Sequence, residues 1–314
     1  MSASAAAVGA VIDRVLGEPP TRWHPVVRFA EVMDAVEARY WADDRRSGFA
    51  YAASGVAVGV VPALLLRRVA GAPVATALAS GAAIAGAMLE REACRVGAAL
   101  QGDDLDVARR AVARLVGRRT DMLDATEVTR AVIETVAENT VDAVTATLFW
   151  ATVGGSPGAL VHRAVNTMDA MVGHRTDRHE RFGWASARLD DAMNWLPARL
   201  TVAAVVIAAP SRATDVWRTV RRDAGKHPSP NGGVVEAAFA ASLGVRLGGT
   251  NVYEGVAEDR GELGDGRAPV AHDVGRAVAL ARRVTLVFAV GGIVAERGVR
   301  RARGASLGRS RRRD

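Results

Sequence analysis

Twenty residues between Arg46 and Arg67, and twenty-one between Arg68 and Glu90, carry no charged side chain. A helix rising about 1.5 Å per residue crosses a hydrocarbon core of roughly 30 Å in about 20 residues, so each stretch has the length of a membrane span. The segment RRVAGAP, from Arg67 to Pro73, supplies a short turn between them. Their Ala and Gly content lowers hydropathy but suits close helix packing in lipid. A pair of buried helices in a soluble bundle is the competing account. A third apolar run covers Leu200 to Ala209, and a fourth covers Val284 to Ala295. Amphipathic helices are expected over Val26–Trp41 and 211–224. Strand signals are weak throughout. The fold expected is all-α: a polytopic membrane helical bundle with amphipathic interfacial helices and an irregular loop region near 245–269.

Charge sets the boundaries of the chain. The formal net charge is +7, and residues 297–314 alone hold eight Arg and one Asp, so the body is near neutral. We expect one membrane-embedded domain over 1–296 and a disordered Arg-rich tail over 297–314. Coming just after an apolar helix, that tail reads as a juxtamembrane cytoplasmic segment rather than a nucleic-acid interface. The single cysteine, Cys94, excludes an internal disulfide and any cysteine-based metal site. Among 41 basic residues only Lys226 is lysine.

Polar residues gather in the middle of the chain. Asp124 and Glu127 form a capping-box pattern opening a helix over about 125–152, which Gly154-Gly155 ends before Ser156-Pro157 starts another. Glu134, Glu138 and Asp142 follow at i, i+4, i+8 and share one helix face. Three carboxylates on a face repel unless cations hold them. Arg130 is one answer; Mg2+ bound by Glu134, Glu138 and Asp142 and shared with substrate phosphates is the other. His162, Asn166 and Asp169 make a second polar face, which either binds metal or substrate or forms a buried hydrogen-bond network. Arg188, Asp191 and Asn194, with Asp190 adjacent, make a third. Between these faces lie His174, Arg175, Arg178, His179 and Arg181, enough positive charge for carboxylate or phosphate groups. The loop KHPSPNGG then brings Lys226, His227, Ser229 and Asn231 to a following helix N-terminus near Val234, a phosphate-site pattern that a simple turn also explains. It is not a Walker A sequence.

At these residues the chain resembles the CobD/CbiB family, the adenosylcobinamide-phosphate synthases of cobalamin biosynthesis. The resemblance rests on DRVLGEPPTRWHPV, AENTVDAVTATLFWATVGGSPGALVHRAVNTMDAMVG, FGWASARLDDAMNWLPARLT, KHPSPNGGVVEAAFA and LGVRLGGTNVYEG, in order from about Asp13 to Gly255. A short first hydrophobic segment and the long Arg tail depart from it. The resemblance implies a multi-pass protein of the cell (inner) membrane with its active site facing the cytoplasm. It implies ATP-dependent amide ligation of (adenosyl)cobyric acid, the corrinoid substrate, with aminopropanol or its O-phosphate. Mg2+ would be cofactor and ATP co-substrate. Glu134, Glu138, Asp169 and Asp190 are then expected as catalytic residues. Asn166, Arg175, Arg178, Arg188, Lys226, His227, Ser229 and Asn231 are expected to bind substrate and phosphate. Partners would be membrane lipid, further copies of the chain or other late cobalamin enzymes. A corrinoid-binding or transport protein, or a signalling membrane protein like AmpE, is the alternative. If the site reading holds, Glu138, Asp169, Asp190 and Asn231 share one cleft.

Overall fold

The computed structural model describes residues 2–117, 119–174, 176–253 and 256–310. Helix α1 (Ala3–Leu16) starts under a carboxylate from the far end of the chain: Glu296 accepts from the backbone N–H groups of Ala3 at 2.9 Å and Ser4 at 3.4 Å. Those amides have no acceptor within their own helix, and an anion there also meets the positive end of the helix dipole. Helix α2 (Pro25–Tyr40) begins with proline, whose missing N–H costs nothing at that position. Helix α3 (Arg45–Ala70) covers the first charge-free stretch and is capped by Asp44, which accepts from Arg46 N–H at 2.7 Å and Ser47 N–H at 2.9 Å.

The second charge-free stretch is divided rather than continuous. Helices α4 (Ala72–Ala83) and α5 (Gly86–Gln101) meet at Ile84, whose ψ of 141° is extended. The break is stabilised from outside: the buried carboxylate of Asp13 accepts from Ala87 N–H at 3.0 Å and so caps the restart. Helix α6 (Leu105–Val112) is followed by α7 (Ala125–Thr140), which opens on the Asp124–Glu127 capping box. A π turn, Val141–Thr145, joins α7 to α8 (Ala146–Met168), and a second π turn, Asp169–Gly173, ends α8. From Ala125 to Gly173 run 49 residues, more than one crossing needs. Gly155, at φ 64° and ψ −148°, divides them into an outgoing and a returning leg. The returning leg packs on α3, with Ser156 Oγ donating to Ala63 O at 3.2 Å and Met168 filling the space over Gly55.

Helix α9 (Trp184–Ala208) meets the segment Pro210–Lys226, which contains α10 (Ala213–Asp223), at a bend of 107°. Helices α11 (Gly232–Leu243) and α12 (Ala271–Ser310) complete the bundle. Among the described residues, Arg45–Ala70, Ala72–Gln101, Ala125–Gly173 and Ala271–Ala302 are long and apolar enough to cross a membrane, and the bent pair is a fifth candidate. Exposed apolar side chains run in stripes: Val8, Val11 and Val15 on α1, Val61, Leu64, Leu65 and Val69 on α3, Leu286, Val290 and Val294 on α12. Such contiguous faces are costly in water and neutral against lipid tails. The chain is an all-α polytopic bundle.

One expectation changes here. The region near 245–269 is not wholly irregular: β1 (Leu247–Tyr253) and β2 (Val256–Leu263) pair antiparallel, Leu247 opposite Leu263. Glycines hide the strand pattern. Gly248, Gly249 and Gly261 have φ of 78°, 87° and 66°, and the ladder shifts register between Gly248 and Thr250. A bulge of that kind breaks the two-residue alternation by which strands are recognised. Helix α12 runs on to Ser310. Arg and Ala are strong helix formers, and basic residues suit the negative C-terminal end of a helix.

The core has three parts. One joins α5, α6, α7, α9, α10, α11, the hairpin and the start of α12; a second joins α1, α4 and α8; a third joins α2, α3 and the end of α8. Val141 belongs to the first, Ala143 and Val144 to the second, Met168 and Val172 to the third. The polar residues Asp142 and Asp169 sit between these members in sequence, at the seam where the three cores meet.

Candidate active site

Both seam carboxylates lie in π turns, Asp142 in the first and Asp169 in the second. A π turn inserts one residue into a helix and re-aims the side chains around it, which is why such turns recur at functional sites. Asp142 lies within electrostatic reach of Asp190, Glu138 and Asp169, with Arg163 the facing cation. One amide ties the first two together. Asn194 Nδ2 donates to Asp142 Oδ1 at 3.1 Å and to Asp190 Oδ2 at 3.0 Å.

Asn194 is itself held from behind. Its Oδ1 is only an acceptor, so His162 Nε2, 3.0 Å away, carries the proton. His162 Nδ1 then accepts from the Thr147 hydroxyl at 3.1 Å. His162, Thr147 and Asn194 are all buried. The chain Thr147–His162–Asn194 therefore fixes which end of the amide faces the carboxylates. On the other side Asn166 Nδ2 donates to Asp190 Oδ1 at 3.5 Å, and Arg163 Nη1 donates to Asn166 Oδ1 at 3.4 Å. Among the described residues Arg163 Nε is buried with no hydrogen-bond partner. Its electrostatic neighbours are Glu18 and Asp142, and Glu18 in turn meets His24 Nε2 at 3.0 Å.

Asp169 folds back over Gly173, where a Cβ would collide with its carboxylate. The Pro-rich loop closes the remaining side. Asn231 Nδ2 donates to Asp191 O at 2.9 Å and its Oδ1 accepts from Arg199 at 2.8 Å. A Cβ on Gly232 would lie 3.4 Å from Glu138 Oε1. Glu138, Asp142, Asp169, Asp190, Asn166 and Asn231 are thus brought to one seam by α7, α8, α9 and the loop before α11.

Other expected residues are engaged elsewhere. Glu134 is buried against the hairpin, accepting from Gly248 N–H at 2.7 Å, with Arg130 3.9 Å away and also bonded to Gly248 O. Residues four apart on a helix drift by about 40°, so over the eight residues from Glu134 to Asp142 the drift reaches about 80°, enough to point Glu134 away from Asp142. Lys226 donates to Asp223 at 2.7 Å. Ser229 Oγ accepts from Gly232 N–H at 3.0 Å and from Asn231 N–H at 3.3 Å, filling the helix end with its own hydroxyl. His227 Nδ1 accepts from Ser229 N–H at 3.0 Å. Arg178 donates twice to Glu37, at 2.9 and 3.0 Å, beside His179, and Arg188 pairs with Asp191 at 3.0 Å. Arg175 lies outside the described residues. Arg163 and Glu18 are not among the site residues expected from the sequence. The i, i+3 spacing of Arg163 and Asn166 is the signal that would have found Arg163.

Three features bear on a metal ion. The donors are hard carboxylate oxygens, suited to Mg2+. Among the described residues no three His, Cys, Asp or Glu side chains converge at metal-binding distance. Mg2+ habitually keeps one or two protein carboxylates and fills its shell with phosphate oxygens and water, so the Asp142–Asp190 pair fits that mode.

Comparison with known proteins finds relatives over most of the chain. A family model described as CobD/Cbib protein matches residues 6–281. A Mycobacterium tuberculosis protein named "Cobalamin biosynthesis protein CobD" is 44% identical over 291 residues, covering 90% of this chain and 92% of its own. Proteins of the same name from Halalkalibacterium halodurans and Chromobacterium violaceum are 39% and 42% identical, covering 89% and 88% of this chain and 92% and 91% of theirs. No solved structure matches. The chain belongs to the CobD/Cbib protein family.

Proposed function

We propose that this protein acts in cobalamin biosynthesis as adenosylcobinamide-phosphate synthase, ligating a propionate of (adenosyl)cobyric acid to aminopropanol or its O-phosphate at the expense of ATP. The observation that carries the reading is the Asp142–Asn194–Asp190 clamp at the meeting point of the family-like segments. Amide formation needs an activated carboxylate and a free amine. The propionate oxygen attacks the γ-phosphate of ATP and ADP leaves; the amine nitrogen then attacks the acyl carbon, phosphate leaves, and a base takes the amine proton. Asp169, near Glu138 and partly exposed at the seam, suits the base role. Asp142 and Asp190, with Glu138 nearby, are the residues that would hold Mg2+, which when bound offsets phosphate charge. Arg163 and Asn166 offer donors to anionic substrate oxygens. We place the reaction at the cell membrane, with the seam open to the cytoplasm where ATP is found.

Purified full-length protein in detergent, given cobyric acid, ATP, Mg2+ and aminopropanol phosphate, should form ADP and cobinamide phosphate in equal amounts. Corrinoid uptake into proteoliposomes with no ATP use and no amide product would instead support the transport reading.

A further inference from the structure

Away from the seam, three arginines surround one open groove. Arg45 and Arg46, at the start of α3, and Arg181, in the loop before α9, line it together with Asp44. The acidic residues there do little to balance them. Asp44 spends its carboxylate on the cap of α3, accepting from Arg46 N–H, Ser47 N–H and the Ser47 hydroxyl. Asp43 reaches Arg181 only at 3.9 Å, and both are more than half exposed. Arg45 and Arg46 form no ion pair among the described residues. Three guanidinium groups held around one groove repel each other unless an anion sits among them.

The depth of the groove says which anion. At 26 residues, α3 is longer than a hydrocarbon core requires. Its charged first turn therefore lies at the level of lipid headgroups, and Phe49, one turn further in, is 68% exposed. Aromatic side chains mark the same level. Arg45 lies 4.9 Å over the Trp184 ring and Arg178 lies 4.5 Å over Trp41. Trp and Tyr collect at the interface, and an arginine stacked on one is held there. Basic pockets beside spanning helices bind anionic headgroups.

We propose that the Arg45–Arg46–Arg181 groove is a binding site for the phosphate of an anionic phospholipid, which seals the segment 176–183 onto the start of α3. The site is separate from the catalytic reading and does not depend on it. The test is thermal unfolding of full-length protein in uncharged detergent with added phosphatidylglycerol, phosphatidylcholine, inorganic phosphate or ATP. Phosphatidylglycerol should raise the melting temperature by about 3–5 °C, phosphatidylcholine far less, and most of the difference should vanish in Arg45→Gln/Arg46→Gln/Arg181→Gln. A companion triple Arg→Lys variant, keeping the charge, should retain part of the shift. Equal shifts with both lipids would overturn the proposal. So would a full phosphatidylglycerol shift in the Gln variant, or the same shift from phosphate or ATP at matched concentration, which would mark a soluble-anion site.

Discussion

Asn194 carries no charge, yet its two N–H groups hold the two carboxylates that would otherwise drive apart. One neutral donor to each lowers the repulsion without neutralising either, leaving both able to receive a cation. Asp169 depends on a different residue. Because a Cβ at Gly173 would meet its carboxylate, Gly173→Ala should displace Asp169 and lower kcat by about tenfold or more while the protein still folds. Unchanged turnover in that variant would remove Asp169 from the reaction. His227 offers a separate test of the loop. Burial pushes its imidazole down to about 4, Arg260 adds to the shift, and Glu236 Oε1 lies 3.4 Å from Nε2. In the unfolded chain the same group takes its proton near pH 6.5. Between pH 6.5 and 4 the unfolded state therefore binds more protons, and stability falls as pH falls. The melting temperature in detergent should drop across that window, and less steeply in His227→Asn. A flat wild-type curve would show that His227 is not buried neutral.

At the scale of elements, the long path from Ala125 to Gly173 depends on irregularities rather than on regular helix. Gly155 has a backbone conformation open almost only to glycine, and it reverses the chain so that the returning leg meets α3. Gly155→Ala should destabilise the protein by about 1–3 kcal/mol, seen as a lower denaturation midpoint. The Gly-Gly-Ser-Pro signal for that reversal was plain in the sequence, as were the spans at 47–66 and the capping box at Asp124. The π turns were not, because one inserted residue leaves the apolar spacing nearly unchanged. The break at Ile84 was hidden for another reason: the carboxylate that caps it comes from Asp13, far away in sequence. The stripe Glu134, Glu138, Asp142 read as one set and is divided in space, since Gly248, in a hairpin masked by glycines, engages Glu134.

Across the whole molecule, the apolar helices form the membrane body, while the charged segments fold into a seam between three cores. One wall of that seam was legible as polar helix faces. Its closure by the 227–232 loop and by Arg163 emerges only when helices far apart in sequence pack together. We propose that Asp142 and Asp190, clamped by Asn194, form the reacting centre. Its most direct test is the turnover of cobyric acid to amide product, with ATP and Mg2+, by Asp142→Asn, Asp190→Asn and Asn194→Leu variants whose helical circular dichroism matches wild type. Each should lose about 10²–10³-fold in kcat. Turnover close to wild type in the two Asp variants would place the chemistry outside the seam.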